Sequence, residues 1–254
     1  MIIKNLAVRI QDKVILSGLD LEIPAGKTVA LMGPNGSGKS TLANVLMGHP
    51  AYHVEKGTIQ WKRKNIVALE PWQRARMGFF LSFQYPYEIP GVNFYEFLLA
   101  SFKSIHGQER TGIEAFDKRL SKALKDLKLP VRFLSRDLNS GFSGGEKKKA
   151  EILQLKILQP SLAILDETDS GLDIDALRLI AKNIREMKSP KIGFLIITHY
   201  QRLLNYIKPD IVHVMINGKI VKTGGPALVK KLEKEGYSWL SVFPAKAGNQ
   251  KEKK

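Results

Sequence analysis

The chain has no cysteine in its 254 residues, which excludes disulfides and thiolate metal ligands within it. No apolar run reaches the length of a membrane span. The start, MIIKNLAVRI, has neither a long apolar stretch nor a small-residue cleavage site, so no secretory signal is expected. Acids are scarce: 24 Asp and Glu face 40 Lys and Arg, for a formal net charge of +16. The basic residues are spread through the chain, with short runs at 62–64, 147–149 and 251–254, and no aromatic-interleaved RNA motif accompanies them. The surplus therefore reads as solvated Lys, and nucleic acid is not an expected partner. No Phe, Tyr or Trp precedes Tyr52. Against this background one stretch stands out. Ile164 to Ala176, ILDETDSGLDIDA, holds Asp166, Glu167, Asp169, Asp173 and Asp175. Like charges so close repel, so the stretch is either solvated or holds something positive.

A chain of this length can bury a full core as one large domain or two small ones. MIIKNLAVRI, KVILSGLDLEI and KTVALMG predict short strands separated by turns. From Lys39 the pattern becomes helical through Leu42, Val45 and Leu46, and Gly48 is a natural stop. Thr58 to Trp61 predicts another strand. Residues 94–128 are helical in character, with Leu120, Ala123, Leu124 and Leu127 on one face. A second long helix is expected from Gly144 to Gln159, stopping before Pro160. Strand LAILDE, a helix over 174–187, strand GFLIITH and a hairpin around Asn217-Gly218 follow. The expected architecture is an α/β core interrupted by a mainly helical insert between residues 86 and 160. From Pro244 onward the chain is polar and Lys-rich, and disorder is expected.

Gly33-Pro34-Asn35-Gly36-Ser37-Gly38-Lys39-Ser40 fits G-x-x-x-x-G-K-[ST] and falls between a predicted strand and a predicted helix. The glycines let backbone N–H groups point inward at phosphate oxygens. The helix start, with Ser40 and Thr41 in its first turn, adds a positive dipole end. Lys39 is expected at the terminal phosphates of ATP, and the Ser40 hydroxyl on Mg²⁺. Asp166 ends the apolar strand Leu162 to Leu165, where phosphate-loop proteins hold Mg²⁺ through a carboxylate. Glu167 follows at the strand's C-terminal edge. A carboxylate there can take a proton from, or orient, a water attacking the γ-phosphate. The acidic stretch then reads as a site whose charge is balanced when Mg²⁺ is present.

Further segments carry a resemblance. Phe142-Ser143-Gly144-Gly145-Glu146 resembles the ABC signature loop, commonly L-S-G-G-Q, and Ser170-Gly171-Leu172-Asp173 resembles the D-loop. Gln84 stands between phosphate loop and signature as the Q-loop glutamine does, and His199 ends its strand as the switch histidine does. Over roughly residues 1 to 225 the chain resembles an ABC ATPase cassette. The segments FQYPYEIPGV, GFSGGEKKKAEILQ, DETDSGLDIDAL and THYQRLLNYIKPDIVHV resemble the SufC family, the soluble ABC ATPases of SUF iron–sulfur cluster assembly.

The resemblance implies an α/β fold: a P-loop, RecA-like core with an N-terminal antiparallel β-subdomain and an inserted helical subdomain. The single ABC ATPase domain would have its core at 1–85 and 161–243, its helical subdomain with the signature at 86–160, and a basic tail at 244–254. It implies ATP hydrolysis with Mg²⁺. Glu167, His199 and Gln84 would be catalytic, Gly33 through Thr41 would hold nucleotide, and Ser40, Gln84 and Asp166 would hold the metal. Ser143, Gly144 and Gly145 of a second chain would close the site in an ATP-dependent homodimer, with Asp173 at the interface. SufB- and SufD-like scaffold proteins are the implied partners, without membrane insertion, in the cytoplasm or a plastid stroma. The cluster would be built on those partners, in keeping with the lack of Cys. The alternative is the ATP-binding subunit of a membrane ABC transporter, although most transporter cassettes have Pro-Thr where this chain has Thr168-Asp169. A chromosome or repair ATPase needs a long coiled coil between the half-sites, and residues 85–142 are too few for one.

The chain also departs from the ABC pattern. Many cassettes stack adenine on an upstream aromatic; here aliphatic packing near Val14 or Ile15 is expected, with weak binding and poor base discrimination. Glu146 replaces Gln, and the lysines at 147–149 are expected to offset its charge, one of them (Lys148 is the one to test) holding Glu167 in a resting pose. Asp175 reads as a favourable helix N-terminal charge. Asp169 is open between a positioning or interface residue and a solvated loop acid. Tyr85 through Pro90 is stiffened by proline and rich in aromatic surface, and with the helical insert it is expected to dock SufB or SufD.

Overall fold

Four strands with every side chain buried run through the middle of the molecule: β3 (Thr28–Met32), β6 (Phe79–Ser82), β9 (Leu162–Asp166) and β10 (Gly193–Ile197). Near-continuous apolar runs suit parallel strands covered on both faces. With β11 (Ile211–Ile216) and β12 (Lys219–Gly224) they form a six-stranded sheet in the order β12-β11-β3-β10-β9-β6. All neighbours are parallel except β12, which returns antiparallel on β11. The protein is described by a computed structural model over residues 1–107 and 112–240. The expected disordered tail and the last residues of the expected core segment lie outside the described residues.

Alternate side chains of each central strand serve two cores. Val29 and Leu31 face one side, where a second, antiparallel sheet and α1 (Lys39–Met47) pack. That sheet has the order β2-β1-β4-β5, from β1 (Ile2–Ile10), β2 (Lys13–Glu22), β4 (His53–Trp61) and β5 (Lys64–Asn65). Ala30 and Met32 face the other side, toward the helical layer. This layer contains α3 (Phe94–His106), α4 (Ile113–Leu127), α5 (Gly144–Leu158), α6 (Ile174–Met187), α7 (Gln201–Ile207) and α8 (Ala227–Glu235). The stripe read on α4 is buried, and Phe116 extends it.

The strand expected from Thr58 begins at His53, and the helical region 94–128 is two helices, with Gly107 and Gly112 as the flanking caps. A short helix α2 (Pro71–Arg76) and a small ribbon of β7 (Ile89–Asn93) with β8 (Asp137–Leu138) were not expected. Arg74 of α2 is fully buried without a carboxylate partner. Its guanidinium donates to the carbonyls of Val45 and Leu46 at 2.6 and 3.0 Å, and to those of Val67 and Leu69. It thereby gives the Leu46 carbonyl, near the end of α1, a partner, and adds a second donor to the Val45 carbonyl, which already accepts from the Gly48 N–H. The helix that starts at the phosphate loop is pinned at its far end.

Candidate active site

The phosphate loop turns tightly between β3 and α1. Gly38 caps α1 at φ 104°, a left-handed conformation that favours glycine. The loop rests on the β11–β12 turn, where the Gly218 N–H donates to the Ser37 carbonyl at 2.9 Å and the Ser17 N–H donates to the Gly218 carbonyl. Gly218 has φ 72°, and a Cβ there would collide with the Ile15 carbonyl oxygen. The sequence marks this turn as a hairpin, but not its support of the phosphate loop 180 residues earlier in the chain, roughly counted.

Lys39 is buried and its ammonium donates to the carbonyls of Gly33 and Pro34 at 2.9 and 3.0 Å. Burial holds its pKa below the usual lysine value, opposed by the nearby charges of Glu167 and Asp166. Asp166 is buried at the end of β9, and its Oδ1 has no hydrogen-bond partner. Burial pushes its pKa up to about 6; a hydrogen bond from Ser40 partly opposes this, and Glu167 adds to it.

Glu167 leaves the strand at φ 47°, uncommon for a residue with a side chain. Its N–H still donates to the Ile197 carbonyl at 2.9 Å, so the sheet holds the turn. The carboxylate sits between two residues expected at the same site. The Gln84 amide donates to Oε2 at 2.6 Å, and His199 Nδ1 lies 3.2 Å from Oε1. Three residues from distant parts of the chain thus meet around one carboxylate.

Asp169 is buried, which excludes a solvated loop acid. The Thr198 hydroxyl donates to its Oδ2 at 2.9 Å and accepts from the Tyr200 N–H at 2.9 Å. Asp169 therefore fixes the backbone on both sides of His199. Burial raises its pKa, opposed first by the Thr198 bond.

A cleft of about 620 Å³ collects these groups. Asn35 through Thr41 line its floor, Gln84, Glu167 and His199 one wall, and Lys13 and Ile15 another. Gly33, Pro34 and Asp166 do not line the cleft; Gly33 and Asp166 are buried and Pro34 is half-buried. Tyr85 and Tyr200 also reach the cleft, on the wall that holds Gln84 and His199.

The signature residues are elsewhere: none of Ser143, Gly144 and Gly145 lines this cleft. Ser143 caps α5 in a reciprocal box, its hydroxyl accepting from the Glu146 N–H while Glu146 accepts from the Ser143 N–H at 2.9 Å. Phe142 is packed among the rings of Phe94 and Phe133. Asp173 caps α6, accepting from the Ala176 N–H at 2.7 Å, and exposed Asp175 occupies the first turn as expected.

The lysine run needs correction. Lys148 does not hold Glu167. Its ammonium donates to the carbonyls of Phe83 and Gln84 at 2.6 and 3.2 Å, and to Glu151 at 3.2 Å. Glu151 in turn accepts from the Ser82 hydroxyl and the Phe83 N–H. The charge of Glu146 is offset by Arg136 at 3.4 Å, while Lys147 pairs with Glu88 at 2.8 Å.

The oxygens suit a hard cation. Ser40 and Asp166 face each other, and Asp166 brings a buried, unpartnered oxygen. Among the described residues no three His, Asp or Glu cluster as a metal cage.

The chain is similar to known proteins in sequence and in fold. Residues 16–170 match the family model described as ABC transporter. A probable ATP-dependent transporter SufC of Escherichia coli (strain K12) is 50% identical, over 94% of this chain and 98% of that protein. A probable ATP-dependent transporter ycf16 of Cyanophora paradoxa is also 50% identical, over 94% and 93%. Among solved structures, a nucleotide-free ATP-binding cassette from an ABC transporter is similar with a TM-score of 0.76 and 26% identity, covering 96% of this chain and 98% of that one.

Proposed function

The chain is an ATP hydrolase of the ABC family, in its SufC branch, and we propose that it drives conformational change in a SufB–SufD-like scaffold during iron–sulfur cluster assembly. The observation that carries the chemistry is the Glu167 carboxylate held between Gln84 and His199 beside the phosphate loop. Glu167 accepts a proton from the attacking water, or orients it. His199 and Gln84 fix the carboxylate and face the γ-phosphate. Lys39 leaves its two carbonyl partners for the terminal phosphates. Ser40, Asp166 and Gln84 would hold Mg²⁺, which would neutralise phosphate charge when bound.

The site is completed by a second copy. Gly144 and Gly145 have ordinary backbone angles, and a Cβ on either would meet nothing within 4 Å in this chain. Nothing internal calls for glycine there; close approach of an external phosphate does. The start of α5 adds a positive dipole end to Ser143 and these two N–H groups. ATP is thus held between the phosphate loop of one chain and the signature of its partner.

Partner docking is assigned to the segment after Gln84. Tyr85 and Tyr87 are 75% and 77% exposed, and Phe83 joins an apolar groove of about 720 Å³ lined by Met47, Trp72, Phe79 and Ile105. Contiguous exposed apolar surface of this kind marks interaction sites. Glu88, by contrast, is occupied by Lys147 and the Gly141 N–H, so its role is internal. Tyr87→Ala is expected to weaken capture of SufB–SufD at least tenfold without changing nucleotide binding; unchanged capture contradicts the docking assignment.

The name of the Escherichia coli relative supports the SUF setting, and no helix among the described residues is long and apolar enough to cross a membrane. The deciding experiment is ATPase activity with and without SufB and SufD, beside a Glu167→Gln variant. Strong stimulation, lost by 100-fold or so in the variant, is the expected result. Indifference to both partners contradicts the assembly role and favours a transporter subunit.

A further inference from the structure

We infer that a second cleft, at the opposite end of the central sheet from the phosphate loop, binds a small multivalent anion carrying two or more phosphate or carboxylate groups. The cleft lies where β9 and β10 begin, lined there by Ser161 and Ile192, whereas Asp166 and His199 lie where those strands end. Its volume, about 750 Å³, is comparable to the 620 Å³ of the phosphate-loop cleft. Five cations line it: Arg119 and Lys122 of α4, Lys156 of α5, and Lys188 and Lys191 between α6 and β10. Only Asp126 and Glu186 oppose them.

Three of the cations are fixed. Arg119 donates to the Ile157 carbonyl at 3.0 Å and Lys188 to the Ile207 carbonyl at 2.9 Å. Lys156 donates to Asp126 and to Asn183 Oδ1, each at 2.6 Å. The carbonyl bonds leave the charges of Arg119 and Lys188 in place and remove much of the ordering cost of binding, whereas the charge of Lys156 is offset by Asp126. Lys122 and Lys191 are exposed and can close on a ligand. The C-terminal ends of α5 and α6, at Gln159 and Lys188, carry negative partial charge that opposes any anion, so several cations must be engaged at once for one to bind. A multivalent one can meet several cations at once. A nucleic acid needs cations strung along a track for its backbone; here they converge on one bounded cleft. Because α4 and α5 belong to the helical insert and α6 and β10 to the core, the anion would tie the two together. This inference does not depend on the SUF reading.

Calorimetric titration of the full chain with inorganic tripolyphosphate and, separately, citrate tests it. Excess ADP keeps the phosphate loop filled, and salt near physiological strength suppresses diffuse attraction. One-to-one binding of either probe is expected, weakened at least tenfold by Lys122→Glu with Lys191→Glu. Tripolyphosphate alone identifies a phosphate ligand, citrate alone a carboxylate one. ADP affinity of the double variant, which should be unchanged, controls for folding. Absence of stoichiometric binding, equal affinity in the variant, or a single-stranded oligonucleotide binding in place of either probe overturns the inference.

Discussion

At the scale of single residues, Asp166 carries the most consequence. Its proton is held more tightly folded than unfolded, with the pKa moving from 3.8 to about 6 through burial, less the opposing Ser40 bond. The stability this lends is complete below about pH 3.8 and is lost as pH rises through 6. Above that range the chain carries a buried negative charge in want of a cation. Asp166→Asn should therefore stabilise the nucleotide-free chain at pH 8, by about 3 kcal/mol, and by only about half as much at pH 5. The same variant should lose the extra stabilisation that Mg²⁺ adds to ATP. Thermal unfolding at the two pH values measures both, and a gain of equal size at pH 5 contradicts the assignment. The pairing of phosphate loop with Asp166 and Glu167 was legible because it rests on local patterns: a glycine-rich turn before a helix, and acids ending an apolar strand. The capping role of Glu146 was legible too, since Ser143-x-x-Glu146 is a capping box, yet it reads as a departure when only the signature is considered. Arg74 was not legible. Its four acceptors are backbone carbonyls, which carry no sequence mark.

At the scale of elements, the segment bearing Gln84 is bound to the helix bearing the signature. Lys148 and Glu151, one turn apart on α5, hold residues 82 to 84 by four hydrogen bonds besides their own pair. Glu88 and the Asn139 bond to the Tyr87 carbonyl continue the contact toward the signature. A partner pressing on Tyr85 or Tyr87 thus pushes on α5 as well as on Gln84. Lys148→Met should cost about 3 kcal/mol by leaving Glu151 buried and unpaired. Adding Glu151→Leu should recover part of that loss, because both charges are then gone. A double-mutant cycle by denaturant unfolding checks this, and strictly additive costs would show that the two side chains act apart. Sequence reading found the lysine run but not this role, because two of the three acceptors of Lys148 are main-chain carbonyls more than sixty residues away. Unbroken apolar runs made β3, β9 and β10 legible, and the helical period did the same for α4 and α6. The β7–β8 ribbon is a pairing of distant, short, exposed segments without such a pattern. Helix α2 carries start signals, Pro71 at its first position and a Glu70–Gln73 capping box, but only six residues and no long apolar period.

At the scale of the whole molecule, the chain holds two separated half-sites. Phosphate loop, Glu167, Gln84 and His199 share one cleft, while Ser143, Gly144 and Gly145 stand outside it. The account therefore requires that two chains hydrolyse ATP together. Mixing Lys39→Ala chains with Ser143→Arg chains tests this most directly. Each variant alone lacks half of every site, but a mixed dimer regains one site with an intact phosphate loop facing an intact signature. ATPase activity should be low in each variant and should return on mixing, approaching a quarter of the wild-type rate when half the dimers are mixed, on simple counting of roughly equal pairings. Activity in the Ser143→Arg chain alone, or no recovery on mixing, would contradict a shared site.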